Sequence, residues 1–223
     1  MAYILNLETS STNCSVALSF KGEVIYSKEH NSAGYSHAEK LHIFIDEVLQ
    51  SANIAMNDLK AIAVGKGPGS YTGLRIGVAT AKGLCYALSI PLIAVNTLES
   101  LALQVNDDDC YVIAMLDARR MEVYDSIFHN KQQIGTTRAV IINSKEIYKD
   151  YLNNKENLKV YFIGSGVSKS KEFISNPTAV FLENNVPSAL TMAPLAFQYY
   201  QEERFENVAY FDPLYLKEFN SQN

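Results

Sequence analysis

A glycine-rich segment between an apolar run and a helical pattern constrains the fold of this chain more than any other feature. The apolar run covers residues 61–64, the segment reads Gly-Lys-Gly-Pro-Gly-Ser-Tyr-Thr-Gly over residues 65–73, and the helical pattern continues to Leu88. A strand, a glycine turn and a helix in this order are typical of α/β proteins, in which N–H groups at a helix start can bind an anion. Glycine also allows close approach of another backbone. The segment predicts a phosphate-binding turn or a tight structural turn.

The spacing of the glycines does not decide between these two interpretations. The segment matches neither G-x-x-x-x-G-K-[ST] nor G-x-G-x-x-G, the two common phosphate-binding patterns. If the turn does bind an anion, the residues that would serve it are Gly67, Gly69, Ser70, Thr72 and Arg75. Both interpretations therefore stay open at this point.

Composition restricts the class of protein. Hydrophobic residues make up 48% of the 223 residues, which is typical of a globular chain. No apolar run approaches the roughly 18 residues that span a bilayer. The N-terminus also lacks the basic region of a signal peptide. We therefore predict a cytoplasmic protein that has no membrane contact.

Cysteine content and charge narrow the choice further. Cys14, Cys85 and Cys110 are odd in number and far apart, so we expect buried thiols rather than disulfides or a zinc site. The formal net charge is −5, whereas a protein that grips nucleic acid by itself usually has a basic face. If the function involves RNA, a partner subunit is expected to supply most contacts with the phosphates.

The periodicity of the first half predicts one RNase H-like unit. Apolar alternation and turn residues indicate three consecutive strands, after which the pattern alternates between helix and strand. The predicted elements are strands 3–7, 14–20 and 23–29, helix 36–52, strand 61–65, helix 72–88, strand 92–95 and a helix from Thr97. The order βββαβαβα is that of an RNase H-like unit.

The second half begins a similar order again at Tyr111. The predicted elements are strands 111–117 and 121–128, a strand within 133–142, helix 144–152, strands 159–163 and 179–182, and a helix at about 190–203. Glu8 and Asp117 hold matching positions, each after the first strand of its half and before a turn. We therefore predict an α/β fold of two RNase H-like lobes, similar to the actin-like ATPase superfamily. The first lobe covers residues 1–105, and the second, smaller lobe covers residues 110–223.

Several motifs distributed over nearly the whole chain resemble the bacterial TsaB proteins, also called YeaZ. The two most specific are the glycine-rich run over residues 67–77 and Asp-Ala-Arg-Arg-Met-Glu-Val-Tyr over residues 117–124. The other similar segments lie at residues 4–10, 14–18, 81–84, 95–99 and 213–216. The combination of these motifs is specific to that family.

The resemblance implies a role without catalysis by this chain. TsaB proteins are non-catalytic relatives of TsaD, the enzyme that transfers a threonylcarbamoyl group to the adenosine next to the tRNA anticodon. TsaB binds TsaD, and the pair recruits the ATPase TsaE. By this resemblance the chain has no catalytic residue and requires no cofactor, and TsaD supplies most of the contacts with tRNA. Whether ATP or ADP binds in the complex is left open.

The histidine spacing argues against a metal-dependent peptidase. TsaD relatives carry two iron-binding histidines at H-x-x-x-H spacing, which places both imidazoles on one face of a helix. His37 and His42 are five residues apart. This spacing rotates the two side chains by about 140° from each other, so we expect no metal site. Neither Ser70 nor Ser165 lies in a G-x-S-x-G motif, which argues against a serine nucleophile.

An alternative function depends on Glu8 and Asp117. In actin-like ATPases, carboxylates at these positions hold a metal-bound nucleotide phosphate. The alternative is therefore an ATPase or phosphotransferase in which Glu8 and Asp117 hold magnesium-ATP. Many relatives place an aspartate at the first position, so the longer Glu8 also fits a vestigial site or a carboxylate that caps the turn. A residual ATPase activity is left open.

Small residues on helix 72–88 predict a close helix contact. Gly73, Gly77 and Ala81 form one stripe, and Ala79, Gly83 and Ala87 form another. The resemblance implies that TsaB pairs with TsaD through helices 36–52 and 72–88, and that the same surface can self-pair when TsaD is absent. We therefore predict a partner-binding face from these residues: Leu41, Ile45, Leu49, Gly73, Gly77 and Lys82. Internal packing of the two helices is the alternative.

Three arginines are candidates for a second contact. Arg75, Arg119 and Arg120 could bind an anion or a partner, because the guanidinium fork fits carboxylate and phosphate equally well. The alternative is that they form surface salt bridges with Glu122 or Glu8.

Overall fold

The computed structural model describes residues 2–32, 36–144 and 146–217. The chain divides into two compact units, each built around one five-stranded sheet. Unit 1 comprises Met1–Ser100 and Pro187–Leu214, and unit 2 comprises Leu101–Val186 and Tyr215–Asn223. No helix in the described ranges has both the length and the apolar character needed to cross a membrane.

Unit 1 has the predicted order of strands and helices. Its elements are β1 (Tyr3–Glu8), β2 (Asn13–Phe20), β3 (Glu23–Asn31), α1 (His37–Ala52), a short 3-10 helix (Met56–Asp58), β4 (Leu59–Gly65), α2 (Tyr71–Leu88), β5 (Leu92–Val95), the first four residues of α3 (Thr97–Ala102) and, much later in the chain, α6 (Ala189–Gln201). The sheet order is β3-β2-β1-β4-β5. Strands β1, β4 and β5 are parallel, and β2 and β3 pair antiparallel. This arrangement confirms the RNase H-like prediction.

Helices cover both faces of the first sheet, which explains why its central strands read as continuous apolar runs. Leu5, Leu7 and Val16 pack with apolar residues of α1 and α2 in one buried cluster. Ser15, which precedes Val16 on β2, faces the opposite side of the sheet, and its Oγ accepts a hydrogen bond from the N–H of Ala189 at the start of α6. Helices α1 and α2 therefore lie on one face and α6 on the opposite face.

Unit 2 repeats the topology with a different set of helices. Its elements are β6 (Cys110–Asp117), β7 (Glu122–His129), β8 (Gln132–Ile141), α4 (Lys149–Leu152), β9 (Lys159–Ile163), α5 (Val167–Lys171) and β10 (Ala179–Leu182). The sheet order β10-β9-β6-β7-β8 places β6 where β1 stands in unit 1. The duplicated fold class is thus confirmed.

The last helix belongs to unit 1, which corrects the predicted lobe of residues 110–223. Helix α6 packs on β1 and β2 of the first sheet. Its start is held by Glu29, whose Oε1 accepts hydrogen bonds from Ser188 Oγ at 2.5 Å and Ser15 Oγ at 2.7 Å. The following segment adds main-chain bonds, from the N–H of Leu214 to the carbonyl of Lys66 among others. Periodicity identifies a helix but not the sheet that receives it, so sequence order misled the assignment.

Two short helices of unit 2 differ from expectation. The predicted helix 144–152 is limited to α4, because Tyr148 adopts a positive φ of 62° that a continuous right-handed helix does not allow. Lys145 lies outside the described residues. Helix α5 was not predicted.

All three cysteines are free and buried, as expected, and burial raises the pKa of Cys14 to about 11 and that of Cys85 to about 12.

Candidate functional site

The glycine-rich turn packs against the turn that follows β1. A Cβ atom at Gly65 would overlap the Glu8 carboxylate, and one at Gly69 would overlap the backbone of Ser10. Further along, a Cβ atom at Gly73 or Gly77 would overlap Thr9. These four glycines follow one another at intervals of four residues, from the end of β4 into α2. Because they lack side chains, residues 8–10 can pack directly against the backbone of this segment.

Hydrogen bonds hold the two turns together. The N–H of Ser70 donates to the carbonyl of Ser10 at 2.7 Å, and Thr9 Oγ1 donates to the carbonyl of Gly73 at 2.8 Å. Ser70 also caps α2, because its Oγ accepts the N–H of Gly73 at 3.3 Å. The close partner that the glycines admit is the chain's own backbone. The tight structural turn therefore accounts for the glycine spacing, and a phosphate site at Gly67, Thr72 and Arg75 stays a prediction.

Glu8 is buried beneath this junction. Its side chain is fully inaccessible to solvent, and Oε1 accepts the N–H of Ser10 at 2.7 Å. Oε2 has no hydrogen-bond partner within the described residues. Burial raises the pKa of the Glu8 carboxyl above its ordinary value, while hydrogen bonding from Ser10 opposes the rise. A carboxylate in this position supports the turn, as the capping interpretation predicts, and it has no open path to solvent.

Asp117 has a different environment at the matching position of unit 2. Its Oδ1 accepts hydrogen bonds from Lys169 Nζ at 2.6 Å and from the N–H of Arg119 at 2.6 Å. Its own N–H donates to Ser165 Oγ at 3.1 Å. Asp117 is exposed, and its charge is already compensated by Lys169. It therefore caps the β6–β7 turn.

The three candidate arginines are all exposed. Arg75 lies on α2, where Nη1 donates to the hydroxyl of Tyr71 at 3.0 Å. Arg119 and Arg120 occupy the tip of the β6–β7 hairpin with positive φ angles of 67° and 50°. Neither forms an ion pair with Glu122 within the described residues, since that carboxylate pairs with Lys217. Glu8 forms no ion pair within these residues either, so the alternative of salt bridges with Glu122 or Glu8 is wrong. A role of the arginines in binding an anion or a partner stays a prediction.

The two histidines of α1 point in different directions. His37 is buried, and its Nε2 lies 2.8 Å from the carbonyl oxygen of Ser11. Burial lowers the pKa of the His37 imidazole. His42 is exposed on the other side of the helix. One metal ion cannot contact both rings. Among the described residues, no group of three or more histidine, cysteine and acidic side chains could hold a metal ion.

The predicted partner-binding face needs a correction. Leu41, Ile45 and Leu49 are at most 5% exposed and belong to the core of unit 1. Gly73 and Gly77 are also buried, against Thr9 as described above. Lys82 is half-buried, and its Nζ donates to the carbonyls of residues 209 and 211 at 3.3 and 2.8 Å. Internal packing therefore uses this set, because an amphipathic helix buries its most apolar stripe first.

The second stripe of small residues lies on the surface instead. Ala79, Gly83 and Ala87 are exposed, and a Cβ atom at Gly83 would meet nothing within 4 Å. Tyr86 beside them is 84% exposed, and Ile43 on α1 is 54% exposed. We call these five residues the α1–α2 face, since the two helices pack side by side on one side of the sheet. Sequence reasoning missed Tyr86 and Ile43, although large apolar residues on the polar side of a helical pattern could have revealed them.

Two sheets with the same strand order, each beginning with antiparallel strands and continuing with parallel ones, define a protein of the RNase H-like, actin-like class. A family model described as TsaD, tRNA N6-adenosine threonylcarbamoyltransferase, matches residues 23–210. The chain therefore belongs to this family, among the members named TsaB or YeaZ.

Individual relatives agree with this assignment. The chain is similar to the tRNA threonylcarbamoyladenosine biosynthesis protein TsaB of Bacillus subtilis, with 31% identity over 78% of this chain and 75% of the relative. It is 28% identical to TsaB of Haemophilus influenzae over 96% of this chain and 93% of that protein. The solved structure of YeaZ from Pseudomonas aeruginosa matches with a TM-score of 0.84 and 27% identity, covering 97% of this chain and 100% of that one.

Proposed function

We propose that this chain is a non-catalytic subunit in the biosynthesis of threonylcarbamoyladenosine in tRNA. It acts in the cytoplasm, binds the TsaD-type transferase, and helps that pair to recruit the ATPase TsaE. The relatives named for this pathway support the role. The exposed α1–α2 face is the observation that carries the binding step.

Gly83 is the strongest single argument for a partner helix. A glycine in a helix interior costs about 1 kcal/mol relative to alanine. Gly73 and Gly77 are required internally, because a side chain there would overlap Thr9. Gly83 has no internal neighbour that demands it. A partner helix that approaches closely would explain its presence, and the exposed Tyr86 beside it is the kind of aromatic anchor that dominates protein interfaces.

The face continues onto the C-terminal segment. Lys82 ties the main chain of residues 209 and 211 to α2. Tyr210 between them is 83% exposed. Two highly exposed tyrosines, Tyr86 on α2 and Tyr210 on the segment after α6, therefore lie on two segments that are joined by the hydrogen bonds of Lys82. When TsaD is absent, a second copy of this chain can occupy the same face.

Substitution of Gly83 tests the proposal directly. We expect Gly83→Leu to weaken binding to the TsaD of the same organism by more than about 2 kcal/mol, because the added side chain blocks close approach of a partner helix. Isothermal titration calorimetry measures the affinity. The isolated variant should unfold no earlier than the unmodified chain, since a glycine has been removed from an exposed helix.

Gln198→Leu is the matched control, because Gln198 is also an exposed helical residue but lies on α6. It should bind TsaD like the unmodified chain. Equal affinity of Gly83→Leu and the control would contradict this interface.

Reconstitution tests the role in the pathway. TsaD, TsaE, the threonylcarbamoyl-adenylate synthase, ATP, threonine, bicarbonate and tRNA are combined with and without this chain, and the modified nucleoside is measured by mass spectrometry. Product that depends on this chain supports the proposal. Equal product without it, together with ATP hydrolysis by the chain alone, would favour the alternative of an ATPase. The burial of Glu8 argues against that alternative, since a fully buried carboxyl group cannot reach magnesium-ATP, and Lys169 already compensates the charge of Asp117.

A further inference from the structure

A concave pocket of about 490 Å³ lies in unit 1 where the parallel strands begin. Ala2 immediately precedes β1, Lys60 is the second residue of β4, and Pro91 immediately precedes β5. Glu8 and Gly65 lie at the other, C-terminal ends of β1 and β4. The pocket, which we call the basal pocket, is therefore separate from the site that actin-like proteins use.

Aromatic side chains form one wall of the basal pocket. Phe197 and Tyr200 come from the last turns of α6, and Phe205 follows shortly after. The Tyr200 and Phe205 rings lie 5.9 Å apart between centroids, with an angle of 57° between their planes. Phe205 remains 41% exposed. Exposed rings beside a cavity offer flat surfaces on which a nucleobase can stack.

Two lysines complete the pocket. Lys21 and Lys60 both line it, and neither forms an ion pair with any acidic residue in the described ranges. Lys21 stays near its neighbour Phe20, with Nζ 5.5 Å from the ring centroid. Glu203 is the only acidic residue among the lining side chains, so their formal charge is two positive minus one negative, or +1. This excess contrasts with a net charge of −5 for the whole chain.

We propose that the basal pocket binds one nucleotide of a single-stranded RNA. The base stacks on the exposed ring of Phe205, with the tilted Tyr200 ring at its edge, and the phosphate pairs with Lys21 and Lys60. The Glu203 carboxylate accepts a hydrogen bond from a ribose hydroxyl. A free nucleotide has the same chemistry, and RNA is favoured because this inference rests on the proposed function in tRNA modification. A contact of one nucleotide also suits an acidic chain that leaves most phosphate contacts to a partner.

The basal pocket is independent of the α1–α2 face. No residue of α1 or α2 lines it. The helix that does, α6, lies on the opposite face of the sheet. Variants of the pocket should therefore bind TsaD normally, so failure of RNA binding and failure of subunit pairing are separate results.

Fluorescence anisotropy of the full chain with a labelled oligoadenylate strand tests the proposal. We expect the double variant Lys21→Gln, Lys60→Gln to weaken binding about tenfold or more, because both phosphate contacts are lost. Phe205→Ala should weaken it about fivefold or more through loss of base stacking. Lys28→Gln is the matched control, since Lys28 is an exposed lysine of the same unit that pairs with Glu47 outside the pocket. The control should bind like the unmodified chain.

Adenosine monophosphate is the second probe and separates the two sources of a nucleotide. Binding of oligoadenylate that both pocket variants weaken, and that the control does not, supports the proposal. Binding that is equal in all variants would place the RNA elsewhere and overturn it. Binding of adenosine monophosphate without binding of oligoadenylate would replace RNA by a free nucleotide and overturn it as well. Absence of binding by either probe has the same consequence.

Discussion

Glu8 in unit 1 and Asp117 in unit 2 occupy equivalent positions in two copies of one topology, yet their environments are opposite. Glu8 is fully buried, and one of its oxygens has no hydrogen-bond partner within the described residues. Asp117 is exposed and is paired with Lys169. A carboxylate at the end of a first strand therefore serves a fold in two ways, and its position in the sequence does not reveal which.

The neighbouring residues explain the difference. In unit 1 the glycines at residues 65 and 69 admit the Glu8–Ser10 segment into the interior. In unit 2 the hairpin after Asp117 remains at the surface, and Lys169 of α5 reaches over to it. Burial makes Glu8 a structural residue with an altered pKa, whereas exposure makes Asp117 a surface cap. The three predictions below test this contrast.

Gly65→Ala should have the largest effect. The new methyl group would overlap the Glu8 carboxylate, so we expect a loss of about 2–3 kcal/mol in the free energy of unfolding, as is typical of overpacked cores. Urea denaturation followed by circular dichroism measures this loss. Combining Gly65→Ala with Glu8→Ala should recover part of it, because the second substitution makes room.

Gly83→Ala is the control that measures the effect of replacing a glycine by alanine where no neighbouring atom is overlapped. Its methyl group enters open space, so stability should rise by up to about 1 kcal/mol. If Gly65→Ala were as stable as the unmodified chain, the tight contact between the two turns would be wrong.

Glu8→Gln should change the pH dependence of stability. Burial raises the folded-state pKa of Glu8 above 4.5, so its contribution to stability is complete below that value and is lost as pH rises through the folded-state pKa. Glutamine has the same shape and does not titrate. The stability of Glu8→Gln relative to the unmodified chain should therefore increase as the pH is raised from 4 towards neutral. A difference that stays constant over this range, measured by urea denaturation, would mean that Glu8 titrates normally.

Asp117→Asn should have the smallest effect. The amide oxygen can still accept the N–H of Arg119, and only the ion pair with Lys169 is lost. Asp117 is 46% exposed although Lys169 is only 16% exposed, so solvent still reaches the ion pair, and we expect a loss of about 1 kcal/mol. The loss should shrink in high salt, which screens exposed charges. A decrease as large as that of Gly65→Ala would show that the two units are more alike than their geometry indicates.

Local elements were predicted well because neighbours in the chain encode them. Strand β5 has the predicted limits, and α2 begins one residue before the predicted start. The repeat of the topology was visible from element order alone. The predictions were wrong where the packing partner of a helix had to be chosen among segments that are distant in the chain. The stripe of Leu41, Ile45 and Leu49 was correctly identified as apolar, but it packs internally.

The sequence by itself determined the order of strands and helices, the duplicated RNase H-like architecture and the family resemblance, because these depend on short-range periodicity and on contiguous motifs. The tertiary structure alone decided at which glycines the chain's own atoms occupy the space of a Cβ atom, and at which, like Gly83, that space is open. It also decided that α6 joins the first sheet and forms the basal pocket with it. The physical reason is that burial and close contact depend on residues that are distant in the chain, and periodicity carries no record of them.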